Sequence, residues 1–284
     1  MRTVAIIGTG LIGGSFGLAL RAAGFDGEIL GVSSPPAIAA AERAGAIDRS
    51  AALPEAAAAA DLVFLAQPVL RIIDTLPELN SHVRSDALVT DAGSTKLAIV
   101  EAAAAHLTRC SFIGGHPMAG SEKTGADAAD AALFRDRPWV LTPRSDADGR
   151  TPSAAELLSW LQRFGARLVI MDPAVHDRVV AFTSHLPQLA STALAAALHQ
   201  ANSVSAAPVF GPGLLDMTRV ALSSFDLWNG ILSTNREAIT GALDAYVEKV
   251  TAIRDALASA DYSRLRALFE QGQQLAARLR QRSG

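Results

Sequence analysis

The stretch Val4-Ala5-Ile6-Ile7-Gly8-Thr9-Gly10-Leu11-Ile12-Gly13-Gly14-Ser15 places a short apolar strand directly before a glycine-rich turn and the start of a helix. Its glycines follow the pattern G-x-G-x-x-G. The first permits a tight turn, the second lets a pyrophosphate approach the backbone, and the third allows helix and strand to pack closely. Free N–H groups at the start of such a helix favour an anion. The stretch therefore predicts a dinucleotide site that contains Gly8, Gly10, Leu11, Ile12 and Gly13.

Beyond this stretch, residues 1–171 alternate short apolar runs with helical patterns. Continuously apolar strands that alternate with helices are typical of a parallel sheet covered on both faces. We therefore expect a Rossmann-type, doubly wound sheet. The predicted strands are 4–7, 28–32, 62–66, 87–90, 111–113, 139–142 and 167–170, the predicted helices are 11–23, 36–45, 69–78, 95–107 and 152–164, and the polar segment 146–150 is expected to be a loop.

The pattern changes after residue 171, where no strand signal recurs. Residues 174–201 predict one long alanine-rich helix, and 236–258 and 261–281 predict two further amphipathic helices. We therefore expect a dinucleotide-binding domain over 1–171 and an all-helical substrate and dimerisation domain over 172–284. Helices that are apolar on more than one face usually bury the extra face against a partner, so a homodimer is expected.

Composition limits the partners and the compartment. The 284 residues carry 25 basic and 28 acidic side chains, a net charge of −3, which gives no bulk attraction to nucleic acid or anionic membrane. No run approaches the roughly 20 apolar residues that a membrane span needs, and the chain opens on a strand rather than a signal peptide. Cys110 is the single cysteine. We therefore expect a cytoplasmic protein that acts on a small molecule.

The second strand bears on the choice of cofactor. An acid at its end would bind the ribose 2′-hydroxyl of NAD, but this strand ends in Ser33 and Ser34. No carboxylate repels a 2′-phosphate there, and two hydroxyls can bind one, although no arginine or lysine is at hand. The sequence slightly favours NADP, or the use of both cofactors.

Two motifs supply candidate catalytic residues in the first half of the chain. His116 lies in the Gly/Pro-rich segment 114–122, and imidazole is a natural proton acceptor near neutral pH. Ser94 follows the fourth predicted strand and either orients a catalytic group or caps the next helix. Lys96 fits equally well as a solvated residue of that helix. A histidine in such a turn is by itself more often structural.

Two further candidates lie in the helical half. His185 is followed by Pro187 on the long helix, where a proline frees a backbone carbonyl, and it fits packing or binding equally well. Arg219 follows the glycine-containing segment 210–213. It is a candidate bidentate clamp for a substrate carboxylate, with a surface ion pair as the alternative.

Together, these motifs in this order and spacing resemble the prephenate/arogenate dehydrogenases of tyrosine biosynthesis. The resemblance implies a Rossmann-type domain followed by a helical dimerisation domain, with the active site in the cleft between them. It also implies a role for individual residues: His116 as the catalytic proton acceptor, Ser94 as the serine that holds the histidine and the hydroxyl, Arg219 and His185 as substrate-binding residues, Glu122 as an acid near the cleft, and Trp228 as an aromatic lining the pocket.

The resemblance implies oxidative decarboxylation of prephenate with hydride transfer to NAD(P)+. Segment 221–224 lacks an acid that would bind the amine of arogenate, which favours prephenate, although a backbone carbonyl can also bind an ammonium. Arogenate or dual specificity is the alternative. A β-hydroxyacid dehydrogenase is more remote, because it would need a lysine on the first long helix and residues 172–200 contain none. A nucleotide-sensing protein without catalysis is the rival of another class.

Overall fold

The structure, a computed structural model, describes residues 1–120, 125–200 and 209–283. The strands are β1 (Thr3–Ile7), β2 (Glu28–Val32), β3 (Arg49–Ser50), β4 (Leu62–Leu65), β5 (Leu88–Asp91), β6 (Ser111–Pro117), β7 (Pro138–Pro143) and β8 (Arg167–Ile170). The helices are α1 (Leu11–Ala22), α2 (Pro35–Arg43), α3 (Leu53–Ala59), α4 (Val69–His82), α5 (Leu97–His106), α6 (Asp146–Gly149), α7 (Pro152–Arg163), α8 (Pro173–Val180), α9 (Leu186–Gln200), α10 (Pro212–Thr218), α11 (Phe225–Thr234), α12 (Arg236–Ala258) and α13 (Tyr262–Ser283).

The strands form one sheet in the order β3-β2-β1-β4-β5-β6-β7-β8. Every neighbouring pair is parallel except β6 and β7, which run antiparallel. The chain moves outward from β1 to β3 and then returns to place β4 on the other side of β1. Ligands bind at such a switch point, beyond the carboxyl ends of the strands. The predicted doubly wound sheet is confirmed.

Both faces of the sheet are covered by apolar layers, as the continuously apolar strands predicted. Along β1, Val4 and Ile6 point into one layer, whereas Ala5 and Ile7 point into the other. The first layer contains Phe16 stacked on Phe64, with ring centroids 4.1 Å apart. Burial on two sides makes this sheet a rigid support for the loops at its edge.

The strand β6 is longer than predicted and contains His116, which the sequence placed in a turn. Both preceding glycines are extended, and His116 pairs with Val140 across the antiparallel ladder. A Cβ on Gly115 would lie 2.4 Å from the carbonyl oxygen of Asp91. The glycine therefore admits the neighbouring strand rather than a ligand, and His116 is held by a strand instead of a flexible turn.

The predicted loop 146–150 is wrong, because Asp146–Gly149 forms one helical turn, α6. The Ser145 hydroxyl caps this turn by accepting the Asp148 N–H at 3.2 Å. Asp148 is buried and receives two hydrogen bonds from Arg144, at 2.9 and 3.0 Å. A polar sequence therefore folds inward because a bidentate ion pair satisfies its carboxylate.

The long helix predicted over 174–201 is α8 and α9 joined by a π-helical turn over Ala181–His185. The Leu186 N–H bonds to the Ala181 carbonyl, five residues back. Pro187 has no N–H to donate, so the wider turn fits the helix around it. His185 is the last residue of this turn and is buried.

Two compact units make up the chain, Met1–Arg236 and Glu237–Gly284. The first contains the sheet together with α8 to α11, since α8 packs on α5 and α11 packs on α4. The second consists of α13 and of the part of α12 that begins at Glu237. Along α12, Tyr246, Val250, Ile253 and Leu257 repeat at helical spacing and are exposed in the single chain. The division at 171–172 remains a prediction of domain organisation.

Candidate active site

The glycine-rich turn forms the floor of a cavity of about 460 Å³ at the switch point. Gly8 has a φ of +97°, and a Cβ there would lie 2.7 Å from the carbonyl oxygen of Ala66. Only glycine fits this backbone. The residues around the cavity come from the ends of β1, β4, β5 and β6 and from α11: Gly10, Leu11, Ile12, Ala66, Gln67, Pro68, Val69, Ala92, Gly93, Ser94, Ala119, Gly120, Gly125, Leu227 and Ile231.

The start of α1 fits a pyrophosphate. Gly10 is its N-cap and offers no side-chain cap, so the first N–H groups of a twelve-residue helix face the cavity without a side-chain partner. A Cβ on Gly10 would meet nothing within 4 Å, which leaves room for a ligand. A Cβ on Gly13 would lie 2.0 Å from the Gly8 carbonyl oxygen, so this glycine allows the helix to pack on the turn. The residues present therefore fit a dinucleotide.

The end of β2, where the sequence predicts the ribose of the cofactor to bind, is exposed and polar. Ser33 and Ser34 are both exposed beyond the end of β2, and Ser34 is the N-cap of α2. Arg49, on the neighbouring strand β3, is bound to Glu28 at 2.8 Å and to Glu55 at 2.7 Å. The position that usually carries an acid therefore offers two exposed serines.

A buried ion pair locks β5 to β6 directly before His116. Lys96 and Asp91 are fully buried and in contact, so Lys96 is not the solvated residue that the sequence allowed. The Lys96 ammonium also donates to the Gly115 carbonyl at 2.7 Å, and the Asp91 carboxylate accepts the Gly115 N–H at 2.9 Å. Both backbone groups of the residue before His116 are thus held by one charged pair.

His116 is buried, with 8% of its surface exposed, and belongs to a chain of three side chains. Its Nδ1 lies 2.8 Å from Nε2 of His176, whose Nδ1 lies 2.7 Å from the Asp177 carboxylate. Burial, reinforced by His176, Lys96 and His185, holds the pKa of His116 well below 6.5. The imidazole is therefore neutral near pH 7 and can accept a proton.

The Asp177 carboxylate also caps helix α5. Its oxygens accept the backbone N–H groups of Lys96 at 2.7 Å and Leu97 at 3.0 Å. The N-cap position of α5 is Lys96, so the helix-capping interpretation of Ser94 is wrong. The His176-Asp177 pair was missed in the sequence. No local signal marks this pair, because its partners on β6 and α5 lie far away in the sequence.

His185 is the second buried histidine of the site. Its ring lies edge-on to Trp228, with centroids 5.7 Å apart. Burial lowers the pKa of His185 to about 4, so this ring is also neutral near pH 7. Asn235, another residue that the sequence did not indicate, places its side-chain nitrogen 3.3 Å from Nδ1 of His185. His185 and Trp228, to which the resemblance assigns separate roles, therefore lie side by side.

The other three predicted site residues are Ser94, Arg219 and Glu122. Ser94 lines the cavity at the end of β5, and no hydrogen bond joins it to His116 in the part of the chain that the structure describes. Arg219 is exposed on the 3₁₀ turn after α10 and, among the described residues, forms no ion pair. Glu122 lies outside the described residues.

No group of three or more His, Cys, Asp or Glu side chains is placed to hold a metal ion within the ranges given above. No helix in the same ranges is long and apolar enough to cross a membrane.

Comparisons with known proteins match nearly the whole chain. Residues 16–170 match the family described as prephenate dehydrogenase, nucleotide-binding domain, and residues 172–271 match prephenate dehydrogenase, dimerization domain. A prephenate dehydrogenase of Lactococcus lactis is 32% identical over 97% of this chain and 77% of its own length.

Two solved structures are similar at low sequence identity. The prephenate dehydrogenase of A. aeolicus in complex with hydroxyphenyl propionate and NAD+ has a TM-score of 0.89 and is 28% identical, covering 98% of both chains. The Synechocystis arogenate dehydrogenase has a TM-score of 0.80 and is 29% identical, covering 98% of this chain and all of its own.

Proposed function

Since this chain belongs to the prephenate dehydrogenase family, an oxidoreductase family of tyrosine biosynthesis, we propose that it converts prephenate to 4-hydroxyphenylpyruvate and CO2. The observation that carries this proposal is the buried, neutral His116, held on one ring nitrogen by His176 and placed at the sheet edge that carries the dinucleotide cavity. A positioned neutral imidazole is the base that oxidation of a ring hydroxyl needs.

In the proposed reaction, His116 accepts the proton of the ring hydroxyl as its carbon loses hydride. The glycine turn over residues 8–13 would hold NAD(P)+, which would supply the acceptor for that hydride and its electron pair. The bond to the ring carboxylate then breaks, CO2 leaves, and the electrons of that bond complete the aromatic ring. His116 returns the proton to the new phenol oxygen, so no net proton is released.

We propose substrate-binding roles for the residues around the base. Arg219 is an exposed, always charged guanidinium that suits a carboxylate of prephenate. His185 and Trp228 supply a polar edge and an aromatic wall. Ser94 lies at the cavity and suits a bond to the substrate hydroxyl, and Glu122 is proposed as an acid near the site.

We also propose a homodimer formed through the helical part of the chain. The match of residues 172–271 to a dimerization domain supports this arrangement. The exposed row of Tyr246, Val250, Ile253 and Leu257 on α12 is the kind of surface that a second copy would cover.

The single, buried cysteine, Cys110, supports a reducing cytoplasmic location.

Initial rates with prephenate and arogenate, each with NAD+ and NADP+, test the proposed function. We expect prephenate to be oxidised faster than arogenate, because segment 221–224 carries no acid for an amine. We expect NADP+ to be used at least as well as NAD+, because Ser33 and Ser34 bring no carboxylate against a 2′-phosphate. Cofactor binding without oxidation of either substrate would contradict the proposal and favour a nucleotide-sensing role.

The pH dependence of kcat/KM tests the role of His116 independently. Protonation would remove the lone pair that accepts the hydroxyl proton, so activity is lost as pH falls through the pKa of His116. Because that pKa lies well below 6.5, kcat/KM should stay level as pH falls through 6.5 and decline only at lower pH. An acidic limb centred at or above pH 6.5 would contradict a neutral, buried base.

A further inference from the structure

The proposed site contains two buried histidines, His116 and His185, and each is bound at Nδ1 by a different partner. Both partners contact Asp177: His176 contacts the Asp177 carboxylate, and Asn235 contacts the Asp177 backbone carbonyl. We infer that Asp177 and Asn235 fix His116 and His185 in opposite tautomers. Nε2 is unprotonated in His116 and protonated in His185. The inference deepens the proposed function and rests on it for the identity of the substrate.

The contacts from Asp177 through His176 determine the tautomer of His116, and they form the first arm of the network. Each oxygen of the Asp177 carboxylate already accepts a backbone N–H, from Lys96 or Leu97, and a carboxylate is an acceptor, so the nitrogen of His176 that faces it donates. A neutral imidazole has one N–H, which leaves Nε2 of His176 as an acceptor. His116 therefore donates from Nδ1 at 2.8 Å, and its Nε2 holds the lone pair.

The contacts from Asp177 through Asn235 form the second arm and determine the tautomer of His185. The Asn235 side chain lies 2.8 Å from the backbone carbonyl of Asp177, which only accepts, so the atom at this position is the amide nitrogen. The second hydrogen of that nitrogen is directed at Nδ1 of His185, 3.3 Å away. Nδ1 of His185 therefore accepts, and the ring proton lies on Nε2.

The Nε2 atoms of His116 and His185 then have opposite polarity. Nε2 of His185 is buried and has no hydrogen-bond partner among the described residues, so its N–H remains available to a substrate oxygen. Nε2 of His116 remains available to a hydroxyl proton. Asp177, His176 and Asn235 touch no reacting atom in this scheme and act as positioning residues. One histidine accepts and the other donates because their Nδ1 atoms meet partners of opposite kind.

Long-range ¹H–¹⁵N NMR of protein labelled in histidine tests the inference directly, because the chain has six histidines. Single substitutions, including His106→Phe at an exposed position of α5, assign the signals. We expect protonated Nδ1 on His116 and His176 and protonated Nε2 on His185 in the unsubstituted protein near pH 7. Protonated Nε2 on His116, or protonated Nδ1 on His185, would overturn the inference without any variant.

Variants then test each arm. In His176→Phe we expect the His116 ring to lose its single tautomer and kcat to fall by about 10- to 100-fold, the scale known for losing the group that orients a metal-bound histidine. In Asn235→Ala we expect a mixed tautomer for His185 and a higher KM for prephenate. His106→Phe and Asn229→Ala, at exposed positions of α5 and α11, should change neither the tautomers nor the rates.

The outcomes separate this inference from the proposed function. An unchanged His185 spectrum in folded Asn235→Ala would overturn the second arm, whatever the activity. Full turnover by a protein with the wrong tautomers would overturn the inference alone. The expected tautomers in a protein that fails to oxidise prephenate would overturn the proposed function alone, because the spectra are recorded without substrate.

Discussion

Replacing His116 by asparagine should lower kcat for prephenate by about 10²- to 10⁴-fold, the usual contribution of a positioned general base. The shorter side chain removes the ring nitrogen that accepts the hydroxyl proton. It leaves the cofactor cavity intact, since His116 is not among the residues that line it. Steady-state rates measure the loss, and fluorescence titration with NAD(P)H measures cofactor affinity, which should stay the same.

The matched control is His106→Asn, an exposed histidine on α5. Its kcat and cofactor affinity should equal those of the unsubstituted protein. Unchanged turnover in His116→Asn would remove the catalytic assignment. Equal losses of turnover and cofactor affinity would assign His116 a structural role in the cavity instead.

Replacing Lys96 by methionine should lower the free energy of unfolding by about 3 to 5 kcal/mol, the scale for breaking a buried ion pair from one side. Methionine keeps most of the volume of the lysine but leaves the fully buried Asp91 carboxylate without its cation. Burial lowers the pKa of Lys96, whereas the attraction of Asp91 raises it. Urea denaturation measures the loss.

Two further variants make this measurement specific. Lys249→Met removes an exposed lysine that pairs with Glu248 and should change stability by less than about 1 kcal/mol. The double variant Lys96→Met/Asp91→Asn removes the unpaired charge as well, so it should be more stable than Lys96→Met alone. A loss in Lys96→Met no larger than that in Lys249→Met would show that the buried pair contributes little.

The strands of the sheet were predictable because each is buried on both faces and therefore continuously apolar. The predicted strand at 28–32 and the helix at 11–23 match β2 and α1 to within one residue. Strand β3 has two residues and offers no pattern to detect. Helices α10 and α11 were not predicted; they have only seven and ten residues, which gives a periodic pattern little length in which to appear.

The candidate site was only partly predictable, and the reason is sequence distance. The glycine turn and His116 carry their signals locally, in the residues beside them. The contact between His116 and His176 joins residues 60 apart, and the cap of α5 by Asp177 joins residues 80 and 81 apart. Such partners are defined by the way α8 packs on α5, which no local spacing encodes. The burial of Lys96 escaped prediction for the same reason.

The double duty of the Asp177 carboxylate has a consequence for how this protein evolves. Selection for a stable fold and selection for a fast enzyme both act on that one group, because it caps α5 and orients His176. A descendant that abandoned the reaction would still gain from keeping the acid. The aspartate alone therefore does not mark an active lineage. His176 contacts His116 without capping the helix, so selection on the proposed reaction acts on it separately from selection on the cap.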